Sequence, residues 1–279
     1  MKILEKTKVK TLTPFLKYAG GKTWLAPRLA EMYEPFRNTH IWVEPFCGAL
    51  GAALGVMPEY ALLNDVNPHL INLYRQVKDN FNGFGIDTNL QYATTENSYY
   101  RLRERFNNLR SMTSYAEVQA EQAELFYYLN RVGYRGLCRT NLDGVFNVPF
   151  GHYKKPILNH DFTQYQKAFE NWKFFNKSWD RFDWYRDIEN LFAYVDPPYD
   201  DGFVGYSGSF TWDDQVNLAS SLATLNCPVV ASNKATDRIF WLYTKLGFDV
   251  EIVSAPRRIS CNGNRGNVDE ILATRNLKA

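Results

Sequence analysis

Two rhythms of apolar and polar residues alternate along the chain. Short β-rich runs end at Val43-Glu44 and at Asn64-Asp65, and a helical pattern follows over residues 68–80. That is the opening of a strand–helix alternation, which builds an α/β sheet. The alternation then breaks. Over 97–109 and 115–130 the period is helical with no strand between, and 131–156 is rich in turn residues, with Gly133, Gly136, Gly144, Pro149 and Gly151. Strand patterns return at 172–175, 191–195, 228–232, 248–253 and 268–274, with helical ones over 212–225 and 235–246. The pattern predicts one parallel-rich sheet, carried by residues 1–80 and 165–279. A mostly helical insert over 81–164 interrupts it, with its turn-rich part near 131–156.

Composition changes this picture little. A chain of 279 residues holds one large α/β domain or two smaller ones, and 45% apolar with 22% charged residues is ordinary for a soluble globular protein. A net charge of +2 does not announce a polyanion partner by itself. Aromatics are abundant, and several lie in polar surroundings (Tyr99-Tyr100, Tyr127-Tyr128, Trp184-Tyr185), where a tyrosine-rich core and rim is the plain expectation. The cysteines, Cys47, Cys138, Cys227 and Cys261, are widely spaced with no C-x-x-C pair. That argues against structural zinc or a disulfide framework and fits a reducing compartment. No run approaches the roughly 18 apolar residues of a membrane span, and residues 1–10 contain no signal-type apolar core. The expectation is a cytoplasmic protein with no membrane association.

The candidate chemistry begins at Asp196-Pro197-Pro198-Tyr199, directly behind the apolar run 191–195. Two prolines stop the strand, lack N–H donors and leave carbonyls able to accept. An acid, such carbonyls and a flat aromatic ring together suit the exocyclic amino group of a nucleobase. Phe46-Cys47-Gly48-Ala49-Leu50-Gly51 follows the first strand as a glycine turn into a small-residue helix, and Asp65 ends the next strand. In α/β folds these are the places that receive a nucleotide-like ligand and its ribose hydroxyls. Tyr18-Ala19-Gly20-Gly21-Lys22-Thr23 resembles half a P-loop, but Leu16 stands where the pattern requires glycine, which excludes the ATPase reading. It remains a glycine turn offering Lys22 and Tyr18 to a small ligand.

A third cluster, 129–155, interleaves Arg131, Arg135 and Arg139 with Tyr134 and Leu137, and continues through Asn141, Pro149, His152, Lys154 and Lys155. Between 96 and 158 there are nine Lys/Arg against six Asp/Glu, so the insert is more basic than the rest. Arginine, aromatic and apolar residues on one turn-rich segment suit contact with base edges and wedging between base steps.

In their order, Phe15-Leu16-Lys17-Tyr18-Ala19-Gly20-Gly21-Lys22, Val43-Glu44-Pro45-Phe46-Cys47-Gly48, Asn64-Asp65-Val66-Asn67 and Asp196-Pro197-Pro198-Tyr199 resemble the Dam-type (D12 class) DNA adenine-N6 methyltransferases over nearly the whole chain. The resemblance implies a Rossmann-like S-adenosylmethionine-dependent sheet with an inserted recognition domain, duplex DNA as substrate, and GATC as the site of many members. It implies that Tyr18, Lys22, Phe46, Gly48, Asp65 and Asp196 line the cofactor site. Asp196 and the Pro197 carbonyl would accept the target amino group, with Tyr199 stacking on an extruded base. Residues 136–139 with 146–149 resemble the family's recognition hairpin, where Arg139 would read guanine and Tyr134, Leu137 and Pro149 would sit at the bases. Two positions depart from the family pattern: Leu50, where a further glycine is usual, and Arg135, where a smaller polar residue is common.

The implied chemistry requires no metal, no covalent intermediate and no obligate protein partner. Cytosine-N4 in DNA and adenine-N6 in RNA are the alternatives on the same fold, and Asp196 favours adenine, since cytosine-N4 enzymes more often carry serine there. A non-catalytic DNA-binding relative is the alternative outside enzymes. The intact Tyr18, Lys22, Asp65 and Asp196 speak against it.

Overall fold

The computed structural model describes residues 10–79, 95–109, 116–141, 143–158, 161–182, 189–199, 210–256 and 268–277. Cys261 and Trp184-Tyr185 lie outside the described residues. Seven strands form one sheet: β1 (Ile41–Glu44), β2 (Ala61–Asn64), β3 (Trp172–Phe175), β4 (Leu191–Val195), β5 (Val229–Lys234), β6 (Asp249–Ala255) and β7 (Val268–Arg275). Their order is β3-β2-β1-β4-β5-β7-β6. β1 to β5 run parallel, while β7 lies antiparallel between β5 and β6. A parallel-rich sheet was expected, and the antiparallel β7 is the addition.

Successive side chains on a strand point to opposite faces, and both faces here are covered. Trp42, Phe192 and Tyr194 enter one core cluster, while Val43, Leu191, Ala193 and Val195 enter the other. All five residues of β4 are buried, and a strand covered on both sides reads as an unbroken apolar run. The second cluster packs under α7 (Trp212–Ala223) and α8 (Asp237–Lys245), through Leu218, Leu222, Ile239 and Leu242. The first is covered by α1 (Ala26–Tyr33), α2 (Gly51–Val56) and α3 (Pro68–Asp79). It also takes in α4 (Glu96–Leu109), α5 (Ala116–Val132) and α6 (Thr163–Phe169). Tyr99 and Phe106 of α4 and Phe126 of α5 share one cluster with Trp42 and Leu63 of the sheet. These three helices fall between β2 and β3 in the sequence, and their apolar sides are continuous with the main core.

The chain leaves β1 outward through β2 and β3, then returns to β4 on the other side of β1. Where strand order reverses, the loops at the carboxyl ends diverge and leave a crevice. The segments after β1 and β4, holding Phe46–Gly48 and Asp196–Tyr199, border that crevice.

Leu50, at the start of α2, has φ +63°, the left-handed conformation that suits glycine. Its side chain is nonetheless fully buried. The left-handed backbone costs a leucine about 1–2 kcal/mol, whereas emptying a buried leucine costs about 2–5 kcal/mol. Leu50→Gly is therefore expected to lose about 2 kcal/mol of stability in urea unfolding. A gain instead would show that strain outweighs packing.

Candidate active site

Lys22 is the hub of the crevice. Its turn can approach α2 because Gly51 has no side chain: a Cβ there would lie 3.0 Å from the Lys22 nitrogen and 3.2 Å from that of Thr23. The Lys22 ammonium, only 4% exposed, lies 3.0 Å from Asp196 Oδ1 and 3.5 Å from Glu270 Oε2. It donates to the Tyr199 hydroxyl at 2.9 Å and to the Gly20 carbonyl at 3.2 Å. The Tyr199 hydroxyl in turn donates to Glu270 Oε1. Burial pulls the lysine down, but Asp196, Tyr199 and Glu270 more than offset it, so the ammonium is held charged. Burial pushes both Asp196 and Glu270 up, and Lys22 opposes the shift in each. The Tyr199 phenol is raised by burial and by the two carboxylates.

Neighbouring strands brace Asp196. Ser232 on β5 donates to Oδ1 at 2.8 Å, and the Tyr194 hydroxyl lies 2.9 Å from Ser232 Oγ. Further along, buried Gln215 of α7 donates to the Pro198 carbonyl at 2.8 Å, while Asn233 Nδ2 donates to Gln215 Oε1 at 2.9 Å. The second proline's carbonyl is thus already engaged. No donor among the described residues reaches the Pro197 carbonyl, which leaves it and the Asp196 carboxylate as the acceptors of this turn. At the end of β1, burial raises Glu44 to about 8, opposed by the Trp42 Nε1 donation at 2.6 Å.

A second cluster forms beside it. Asp65, at the end of β2, accepts from the Gly48 nitrogen at 3.0 Å and from the Asn67 nitrogen at 2.9 Å. Its carboxyl is pushed up to about 6 by burial, against those two bonds. The Tyr18 ring lies 3.4 Å from where a Gly48 Cβ would stand, and Tyr74 donates to the Gly48 carbonyl at 2.6 Å. Phe46 meets Phe210 edge-on at 5.8 Å. Each Asp65 oxygen spends one lone pair on a backbone N–H and keeps another, so the carboxylate can still accept two hydroxyls. The residues fit a ribose-bearing cofactor.

Within 131–156 two isolated antiparallel bridges join the described residues. Gly133 bridges Phe150, Thr140 bridges Phe146, and the Asn147 nitrogen donates to the Arg139 carbonyl at 3.2 Å. Arg139 Nε donates to Asn147 Oδ1 at 2.9 Å, which fixes the guanidinium plane. Tyr134, Pro149, His152 and Lys154 are exposed; Arg135, Leu137 and Arg139 are half-buried. Arg135 (φ +54°) lies over the Tyr134 ring at 5.1 Å. The Asn141 side chain closes its own turn, accepting from the Val145 nitrogen at 2.8 Å. Buried Asn130 ties this segment to the glycine turn. It accepts from the Lys17 nitrogen at 2.9 Å and donates to the Lys17 carbonyl at 2.7 Å and the Gly136 carbonyl at 3.0 Å. Gly136 permits the approach, since a Cβ would sit 2.2 Å from that of Lys17.

The structure therefore joins Lys22, Asp196 and Tyr199 in one cluster, sets Gly48, Tyr18 and Asp65 together in another, and carries the basic–aromatic residues on a separate segment. Sequence reasoning missed Glu270, Ser232, Gln215, Asn233 and Asn130. Among the described residues no cluster could hold a metal ion, and no helix is long and apolar enough to cross a membrane.

An open, largely parallel sheet with polar groups gathered at its switch point is the α/β arrangement that places ligands at the carboxyl ends of the strands. Comparison with known proteins narrows this. The D12 class N6 adenine-specific DNA methyltransferase profile matches residues 18–259. The DNA adenine methylase of Escherichia coli K12 is 36% identical over 93% of this chain and 94% of its own. The retron Ec67 DNA adenine methylase of Escherichia coli is 34% identical over 94% and 91%, and the DNA adenine methylase of Vibrio cholerae O395 34% over 95% and 96%. The chain belongs to the D12 class of N6 adenine-specific DNA methyltransferases, enzymes that need a methyl donor.

Proposed function

We propose that this enzyme moves the methyl of S-adenosylmethionine to N6 of adenine within GATC in duplex DNA, after extruding the base. Residues 1–80 and 165–279 carry the catalysis, and 81–164 the target recognition. The observation that carries the reading is the pair of acceptors at the switch point: Asp196, braced by Lys22 and Ser232, beside the Pro197 carbonyl.

The adenine amino nitrogen is a poor nucleophile because its lone pair is delocalised into the ring. Asp196 and the Pro197 carbonyl accept its two N–H bonds, which draws the lone pair out of the ring plane. When bound, S-adenosylmethionine supplies an electrophilic methyl on a sulfonium. Asp65 accepts the ribose hydroxyls, Tyr18, Phe46 and Gly48 shape the wall around them, and Lys22 and Asp196 line the far end. No atom of Asp196 is alkylated; its work is fixed electrostatics and alignment, each able to supply several kcal/mol. Extrusion costs a few kcal/mol. Stacking on Tyr199 offsets it, as do Tyr134, Leu137 and Pro149 at the vacated step, while Arg135, Asn141, His152 and Lys154 lie toward the DNA.

Methyl transfer from labelled S-adenosylmethionine to duplexes with GATC and with the four bases scrambled tests the reading. Label entering only the GATC duplex is expected. Label in both would remove the specificity, and label in neither would remove the acceptor.

Asp65 adds a pH dependence. Only its ionised form accepts two hydroxyls, so the affinity it contributes is present above about pH 6 and lost as pH falls through that value. S-adenosylmethionine should bind about tenfold more weakly at pH 5 than at pH 7 by proton linkage. Asp65→Asn should bind weakly at both. Titration calorimetry reads this directly, and wild-type affinity that stays flat would take Asp65 out of the cofactor site.

A further inference from the structure

Glu270 stands apart from the groups assigned so far. It lies on β7, paired with Lys234 of β5 and Val253 of β6. Strand alternation puts it on the same face as Leu272, toward the core cluster that also covers the Lys22 side of the sheet. The residue is 5% exposed. One oxygen accepts from Tyr199, while the other, 3.5 Å from the Lys22 ammonium, has no hydrogen-bond partner among the described residues.

Such an arrangement is poorly suited to stability alone. Burying a carboxylate costs several kcal/mol, and attraction to a lysine repays that only with good geometry and full hydrogen bonding. Here one oxygen is under-bonded, and the lysine already has Asp196 at 3.0 Å. Two carboxylates share one ammonium, so the cluster of Lys22, Asp196 and Glu270 carries a formal charge of −1.

We propose that Glu270 is a positioning residue for methyl transfer, which holds the Tyr199 hydroxyl and shares the charge of Lys22. The inference rests on the reading of Asp196 and Tyr199 given above. The first effect is geometric. With its hydroxyl held between Glu270 and Lys22, the Tyr199 ring has a fixed plane against which the target base stacks. The second is electrostatic. Lys22 drawn partly toward Glu270 neutralises Asp196 less completely, so Asp196 remains a strong acceptor for the amino hydrogens. A glutamine at position 270 keeps the size of the group and an acceptor for Tyr199 but surrenders the charge. Lys22 then closes on Asp196 alone.

The test is a single-turnover measurement on preformed enzyme–S-adenosylmethionine–GATC complexes, run for wild type, Glu270→Gln, Tyr199→Phe and the double variant. Glu270→Gln is expected to slow transfer ~10- to 100-fold, the range that misplacement by about an ångström produces. Its affinities for DNA and for S-adenosylmethionine should stay within about twofold and its melting temperature should not fall, because the lost charge was unfavourably buried. The two substitutions should be non-additive, since both act through the one cluster of Tyr199, Glu270 and Lys22. Wild-type transfer rates in Glu270→Gln would overturn the assignment. So would a lowered melting temperature with the rate per folded molecule unchanged, the signature of a structural role. If Glu270→Gln does not fold, Tyr199→Phe carries the test with Glu270 intact: slowed transfer at unchanged affinity supports the assignment, and a normal rate overturns it. A wild-type enzyme that leaves GATC adenine unmethylated would overturn the underlying reading as well, whereas an active wild type matched by Glu270→Gln removes Glu270 alone.

Discussion

Asp196→Ala is expected to lower methyl transfer by about a thousandfold or more while the protein stays folded. Removing one preorganised electrostatic group from an active site costs about 2.7–4 kcal/mol of transition-state stabilisation, and Asp196 is assigned both an acceptor role and an alignment role. Survival of the fold follows from the surroundings. Truncating one partner of a buried ion pair is usually damaging because the other charge is stranded. Here Lys22 retains Glu270, Tyr199 and the Gly20 carbonyl. The measurement is label transfer under saturating DNA and S-adenosylmethionine, with thermal unfolding alongside. Near-normal turnover would sink the mechanism, and unfolding would show that Asp196 is chiefly a counter-ion for Lys22.

The second large effect belongs to Arg139. With Nε engaged by Asn147, its two terminal nitrogens are presented as a fixed fork, the geometry that pairs with guanine O6 and N7. Arg139→Ala should lose about 1–3 kcal/mol of discrimination at one guanine, roughly five- to 150-fold in kcat/KM ratio between GATC and a duplex changed at that base. Unchanged discrimination would take Arg139 out of base readout.

The buried strands were legible because a strand covered on both faces is an apolar run whatever its neighbours. Residues 191–195 form such a strand with those limits, while 172–175, where exposed Lys173 alternates with buried Trp172 and Phe174, shows the period of a strand with one face covered. Strand direction was not legible: a two-residue period is the same for parallel and antiparallel neighbours, so β7 looked like any other strand. Helix α1 went unread although its first turn holds Pro27, a recognised start signal. The acid at 196 could be found because prolines mark the end of its strand. Glu270 could not, since the neighbouring acid Asp269 blurs which of the two points inward, and only the approach of Lys22 and Tyr199 gives it a partner. Gln215 and Asn233 were hidden for the same reason. A buried amide acquires meaning when the elements carrying its partners meet.

The core shared by the sheet and helices α4 and α5 bears on how the surface of such a protein can change between relatives. Tyr99, Phe106 and Phe126 share one buried cluster with Trp42 and Leu63, so excising the helices would strip the sheet of part of its cover. The segment between Gly133 and Phe150 is anchored in the same way: Cys138, Phe146, Val148 and Phe150 lie in that cluster, and Tyr99 and Arg103 donate to the Val148 carbonyl. A wholesale exchange of this segment would therefore disturb the packing beneath it. Exchange confined to its exposed positions, Tyr134, Asn141 and Pro149, would alter the surface it presents and leave the core as it is.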